Sequence, residues 1–152
     1  MKVSGHFTFD APAWTVYDTF TDEAALLEAT PGLEHLEATG PDTYRARLKV
    51  GVGGFALVYQ GTLVVTDRQP GEGYRLLVEA ATHNGFGRAE VQFRFLPESG
   101  GRTRAEYDAD IALGGAQKLL PSLARGMMDF FLHGMAEALA ERCAAAESVE
   151  MG

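Results

Sequence analysis

Cysteine, a surplus of basic residues and long apolar runs are all scarce or missing in this chain of 152 residues. The one cysteine, Cys143, excludes a disulfide framework and a thiolate metal site, and among alanines late in the sequence it reads as a small buried or half-buried thiol. Lys and Arg number 13 against 21 Asp and Glu, a formal charge of -8. So acidic a chain lacks the basic face that binding to a phosphate backbone requires, and nucleic acid is excluded as an expected partner. No stretch approaches the roughly eighteen apolar residues of a membrane span. Met1 leads into Lys2-Val3-Ser4-Gly5-His6-Phe7 without the apolar segment of an export signal. The expectation is a soluble cytoplasmic protein.

Motifs of catalysis are missing as well. There is no H-E-x-x-H, C-x-x-C or G-x-S-x-G. His6, His35, His83 and His133 have no partners at metal or triad spacing. Asp108 and Asp110 share a face, but it is the charged one, where a carboxylate stays solvated and its pKa ordinary. The sequence therefore reads as a non-enzymatic protein, with no metal site and no covalent cofactor.

Regular patterning is present throughout. At 46% hydrophobic the chain has enough apolar surface for one core, and no linker or repeat divides it; residues 1–146 read as a single domain and 147–152 as a short tail. Val3, Gly5, Phe7 and Phe9 alternate with polar residues as a first strand. Asp10-Ala11-Pro12 then predicts a helix start, with Asp10 as cap and Trp14, Val16, Tyr17 and Phe20 as its apolar side. Thr21-Asp22 begins a second helix that Pro31-Gly32 ends. Strands follow at Leu33 to Thr39, Thr43 to Val50, Phe55 to Asp67, Tyr74 to Thr82, Phe86 to Leu96 and Thr103 to Leu113. Turns this short make neighbours antiparallel. From Gln117 to about Ala146 one amphipathic helix places Leu119, Leu120, Leu123, Met127, Phe130, Phe131, Gly134, Met135 and Ala138 on one side.

Such a helix has only the sheet to cover its stripe. The inward register of the strands is not uniformly bulky, because Ala46, Gly61, Ala80, Ala89, Ala105 and Ala109 interrupt it. Close packing of the helix or a lined space beneath it would both follow. Pockets of the second kind take apolar molecules and fix them with a few polar groups. The lining expected is Tyr44, Leu48, Phe55, Leu57, Tyr59, Leu76, Val78, Phe86, Val91, Phe93 and Tyr107 from the sheet, with Leu123, Met127, Phe130 and Phe131 from the helix. The turns divide by strand parity. Gly40-Pro41-Asp42, Pro70 to Gly73 and Pro97 to Gly101 are polar reversals, whereas the other end carries glycine with apolar residues and suits an entrance at Val52, Gly53, His83, Gly85 and Gly115.

An ordered series of short matches adds a family resemblance. It comprises Met1-Lys2, Gly5, Phe7-x-Phe9-Asp10-Ala11-Pro12, Val16-Tyr17-Asp18, Thr21-Asp22 and Thr30-Pro31-Gly32, then Gly40-Pro41-Asp42-x-Tyr44-x-Ala46-x-Leu48-Lys49-Val50, Tyr59-x-Gly61 and Gly114-Gly115. Over about residues 1–141 the chain resembles the carbon monoxide dehydrogenase G-subunit family, within the Bet v 1/START-like (SRPBCC, helix-grip) superfamily. The resemblance implies an α+β helix-grip fold: a curved seven-stranded antiparallel sheet around a long C-terminal helix, with two short helices after strand one. It implies an accessory protein that associates with a molybdenum-containing dehydrogenase, brings it to the inner face of the cytoplasmic membrane, and holds a quinone or lipid in its cavity. A cyclase or aromatase of the same architecture is the alternative, and a ligand-free interaction module a third. Family members acting at the membrane often add a linker and an anchor, which the ending Ser148-Val149-Glu150-Met151-Gly152 does not resemble.

Overall fold

The computed structural model describes residues 1–52, 55–83, 85–115 and 121–151, with side chains except at 50–52, 55–57, 113, 115, 121–124, 127 and 143–151. Element order among them is β1 (Lys2–Phe9), α1 (Ala13–Phe20), α2 (Glu23–Ala29), β2 (Leu33–Gly40), β3 (Thr43–Val52), β4 (Phe55–Gln69), β5 (Gly73–Thr82), β6 (Gly85–Glu98), β7 (Arg102–Gly115) and α3 (Pro121–Met151). The strands form one antiparallel sheet in the order β1-β7-β6-β5-β4-β3-β2. All but β1 are joined to their neighbours by tight turns, as the short Gly- and Pro-bearing links require. β1 reaches β7 across the whole chain, pairing Gly5 with Tyr107 and Phe9 with Thr103.

The helices start and stop for local reasons. Asp22 accepts a hydrogen bond from the backbone N–H of Ala25 at 2.9 Å and caps α2. Gly32, at φ +79°, turns the chain out of α2 beside the Lys49 carbonyl, where no side chain fits. Asp10 does not cap α1, contrary to expectation: Pro12 holds the cap position with no side-chain bond, and its fixed φ already suits a helix start. Pro121 opens α3, where a missing N–H costs nothing. That helix runs through Met151, so the segment expected as a tail from residue 147 is helical.

Both faces of the sheet follow the alternation. The outer one carries Arg75 with Glu90, Arg88 with Glu79 and Arg94 with Asp108, at 3.3, 3.4 and 2.8 Å. These exposed pairs each contribute about 0 to 1 kcal/mol. The inner one supplies Val65, Tyr74, Val91, Phe93, Phe95, Ala105, Tyr107 and Ala109 to the core, with Val16 and Phe20 of α1 and Leu132 and Met135 of α3. Aromatic rings knit this end together: Phe20 meets Phe93, Phe95 and Phe131 at 5.4, 5.0 and 5.7 Å, edge-on arrangements that suit ring quadrupoles. Thr103 donates its hydroxyl to the Ala11 carbonyl at 2.7 Å, and Tyr74 donates to that of Phe20 at 3.1 Å, both buried.

Candidate ligand-binding site

The core fills only one end of the inner face. Strand pairing places the inner positions in rows across the sheet, and the rows change character along the strands. Val65, Leu76, Val91, Ala109 and Val3 make one row, of which all but the half-buried Leu76 are less than 9% exposed. Leu63, Val78, Ala89 and Ile111 make the next toward the β5–β6 turn, and every one is only half-buried. Beyond it lie Ala46, Gly61, Ala80 and Gly87, paired strand to strand and also half-buried. Leu48 and Tyr59 follow in the same state. Side chains dwindle where the helix would need them most.

Helix α3 accounts for this gradient. Among the described residues its main neighbours are α2, α1 and β1, not the central strands. Gly134 lies against the Ala29 backbone, where an added Cβ would come within 2.7 Å of the carbonyl oxygen. Asp22 pairs with Arg142. These contacts fix the second half of α3 on α1 and α2. Toward its start, Arg125 and Gly126 are exposed and a Cβ at Gly126 would meet nothing. At Gly61 a Cβ would collide with the Glu79 carbonyl and the Ala80 backbone, so only glycine permits the close approach of β4 to β5. The inner face of β3 to β6 is therefore apolar and only half-buried at this end.

The expected lining residues divide accordingly. Tyr44, Leu48, Tyr59, Leu76 and Val78 are half-buried on the inner face, and Phe131 packs against the core, its ring meeting those of Phe20 and Phe93. Val91, Phe93 and Tyr107 are core residues, 7%, 2% and 3% exposed, at the packed end. Phe86 corrects the expectation. It is 54% exposed and lies over Gly114 on the outer face, sharing the parity of Arg88 and Glu90. Phe130 is also corrected: expected on the buried stripe, it is 72% exposed, while the stripe runs through Phe131, Leu132, Met135, Ala138 and Leu139. The 100° step per residue separates Phe130 from Phe131. The side chains of Phe55, Leu57, Leu123 and Met127, like that of Val52, lie outside those described.

At the proposed entrance, Val52 ends β3, Gly115 ends β7, and Gly85 opens β6 half-buried; Gly53 falls outside the described residues. His83 is exposed in the β5–β6 turn. His133 is exposed too, its Nδ1 2.8 Å from the Asp129 carbonyl and its ring edge-on to Phe7. Tyr107 lies within electrostatic reach of Arg125 and Asp129 of α3. Its hydroxyl sits over Gly5, 2.8 Å from where a Cβ would stand, and its pKa is raised by burial and by Asp129, with Arg125 opposing. Burial also raises Tyr59. Two grooves lie away from these residues, one of about 220 Å³ between α2 and α3 and one of about 570 Å³ on the outer face where β4 bulges. No cluster of three metal-ligating side chains occurs among the described residues.

This arrangement, a sheet gripping a helix with its core at one end, can be set against known proteins. Residues 5–146 match the family model of the carbon monoxide dehydrogenase G subunit, CoxG. The chain belongs to that family. No curated protein matches it. Among solved structures, a conserved protein from Geobacillus kaustophilus is 25% identical with a TM-score of 0.86, covering 93% of this chain and 96% of that one. The Zhui aromatase/cyclase from Streptomyces sp. R1128 is 20% identical over 96% of this chain and 97% of its own, with a TM-score of 0.67. A START superfamily protein from Mycobacterium smegmatis is 15% identical, covers 92% and 97%, and has a TM-score of 0.69. The last two establish the fold alone: this CoxG family member has the Bet v 1/START-like helix-grip architecture. Among its described residues no helix is long and apolar enough to cross a membrane.

Proposed function

We propose that this protein is a non-enzymatic carrier that holds an apolar molecule, a quinone or lipid, between the inner face of the sheet and α3. The row Ala46, Gly61, Ala80 and Gly87 carries the reading. A sheet meant only to support a helix would put its bulk there; this one puts its bulk at the opposite end, in Tyr74, Phe93 and Phe95. The half-buried Leu48, Leu63 and Val78 around the small residues offer an apolar wall, with the half-buried Tyr59 ring at its edge. Membership of the CoxG family supports a molybdenum-containing dehydrogenase as partner, with the carrier linking it to the membrane or its quinone pool.

Organic extraction and native mass spectrometry of the purified protein test the reading: a bound quinone or lipid in stoichiometric amount is expected. Protein that stays empty when offered quinones and lipids in excess would refute it. The cyclase or aromatase alternative requires a sheltered acid or base. His83 and His133 are both exposed, so neither is placed to serve as one.

A further inference from the structure

The only tryptophan of the chain, Trp14, is expected on the apolar side of α1 and instead stands 61% exposed. It is not loose. Its ring rests on the β4–β5 turn at Gly71, where φ is +77° and an added Cβ would lie 2.9 Å from Cε2 and 3.2 Å from Cδ2 and Nε1. Its edge meets Tyr17 at 6.4 Å and 76°. Tyr17 is itself 5% exposed, and its hydroxyl accepts a hydrogen bond at 3.2 Å from Arg68, which also binds Asp42 at 2.6 Å. The indole is thus held from one side and open on the other.

The surroundings differ from the outer face of the sheet. Asp18 lies one helical turn along from Trp14, Asp10 precedes the helix, and Glu72 follows Gly71; all are exposed. None enters an ion pair among the described residues, whereas Glu79, Glu90, Glu106 and Asp108 of the outer sheet face are all paired with arginine. Arg68, which donates to the Tyr17 hydroxyl beside the indole, is committed to Asp42. Gly71 also lies at the opposite end of the sheet from Val52, His83 and Gly85, so contact there leaves the proposed entrance free.

We infer that Trp14 on its Gly71 seat is the docking anchor for a partner protein presenting an apolar recess edged by Lys or Arg side chains. Buried aromatic anchors contribute most of the affinity at protein interfaces. An indole already fixed in the free protein loses little freedom on binding, and unpaired carboxylates around it steer a cationic partner. The same carboxylates are repelled by anionic lipid headgroups, which disfavours a bilayer as occupant. Taking the dehydrogenase as that partner rests on the proposed function.

Incorporation of 5-fluorotryptophan tests this without a substitution, because the chain then gives a single ¹⁹F resonance. Addition of purified molybdenum-containing carbon monoxide dehydrogenase holoenzyme should shift or broaden it. Trp14→Ala should weaken binding at least about tenfold, and Asp10→Asn with Asp18→Asn and Glu72→Gln should flatten its salt dependence. A complex seen by sedimentation with the resonance unmoved would overturn the anchor and leave the partnership standing. No complex with the unsubstituted protein would overturn both. A resonance that answers anionic vesicles and not the dehydrogenase would make Trp14 a membrane contact and refute protein docking.

Discussion

Phe131 meets Phe20 edge-on, ring centroids 5.7 Å apart at 88°, and this contact marks where the packed half of the molecule begins. On one side of it α3 is fixed to α1 and α2; on the other, the preceding residue, Phe130, is 72% exposed. Two adjacent phenylalanines thus have opposite roles.

Phe131→Ala should therefore destabilise the fold by roughly 2 to 3 kcal/mol, somewhat less than the loss of a fully buried ring. Phe130→Ala should change stability by no more than about 0.5 kcal/mol. Urea unfolding of the two variants measures the difference directly. Equal effects would mean that the stripe on α3 has been phased wrongly.

Ala80→Leu separates an open concavity from a packed interior. Where space exists, the leucine fills it: stability holds or rises, and the amount of bound apolar ligand falls at least about tenfold, the loss of one well-shaped subsite. In a packed interior the same substitution costs about 1 to 3 kcal/mol through strain. Thermal melting together with ligand extraction decides between them.

Thr103 is fully buried and donates to the Ala11 carbonyl at 2.7 Å, tying β7 to the turn before α1. Thr103→Val keeps the shape and leaves that carbonyl without its partner, a loss of about 1 to 3 kcal/mol. Thr103→Ser keeps the bond and loses a methyl, about 1 kcal/mol. A serine variant less stable than the valine one would remove the hydrogen bond from the account.

Tyr74 sets an alkaline limit. Burial raises its pKa far above the ordinary value of 10.0, so the folded protein keeps the phenol proton while the unfolded chain releases it. Stability is unaffected below about pH 10 and falls above it, by up to about 1.4 kcal/mol per pH unit, because there the unfolded state binds fewer protons. Tyr74→Phe should lower stability at neutral pH by about 1 kcal/mol through the lost bond to the Phe20 carbonyl. It should also flatten the alkaline slope in denaturation curves taken between pH 9 and 11.

Much of the fold is readable from local pattern. Period-two alternation places Tyr44, Leu63, Val78 and Ala89 on the inner face, and strand pairing puts all four in one row. The proline-bearing turns fall at one end because proline and glycine dictate their own dihedrals. The outward position of Phe86 is readable as well, from its parity with Arg88. Three features are not. An apolar stripe on a helix spans enough angle that Phe130 and Phe131 look alike until a neighbour selects one. The shift in pairing between Thr66 and Gln69, with Asp67 at φ +50°, has no local signal as strong as a glycine. Trp14 is apolar and at core spacing, yet the small recess over Gly71 takes only one side of its ring.

The sequence by itself determined the order of elements and the inner and outer faces of β3 to β7, because each follows from neighbours a few residues apart. Only the tertiary structure decided where the packed core ends and the half-buried inner face begins. That boundary is set by which strand, helix or turn lies opposite each side chain, as Phe20 lies opposite Phe131 and Gly71 beneath Trp14, and such pairings join residues dozens of positions apart that no local pattern connects.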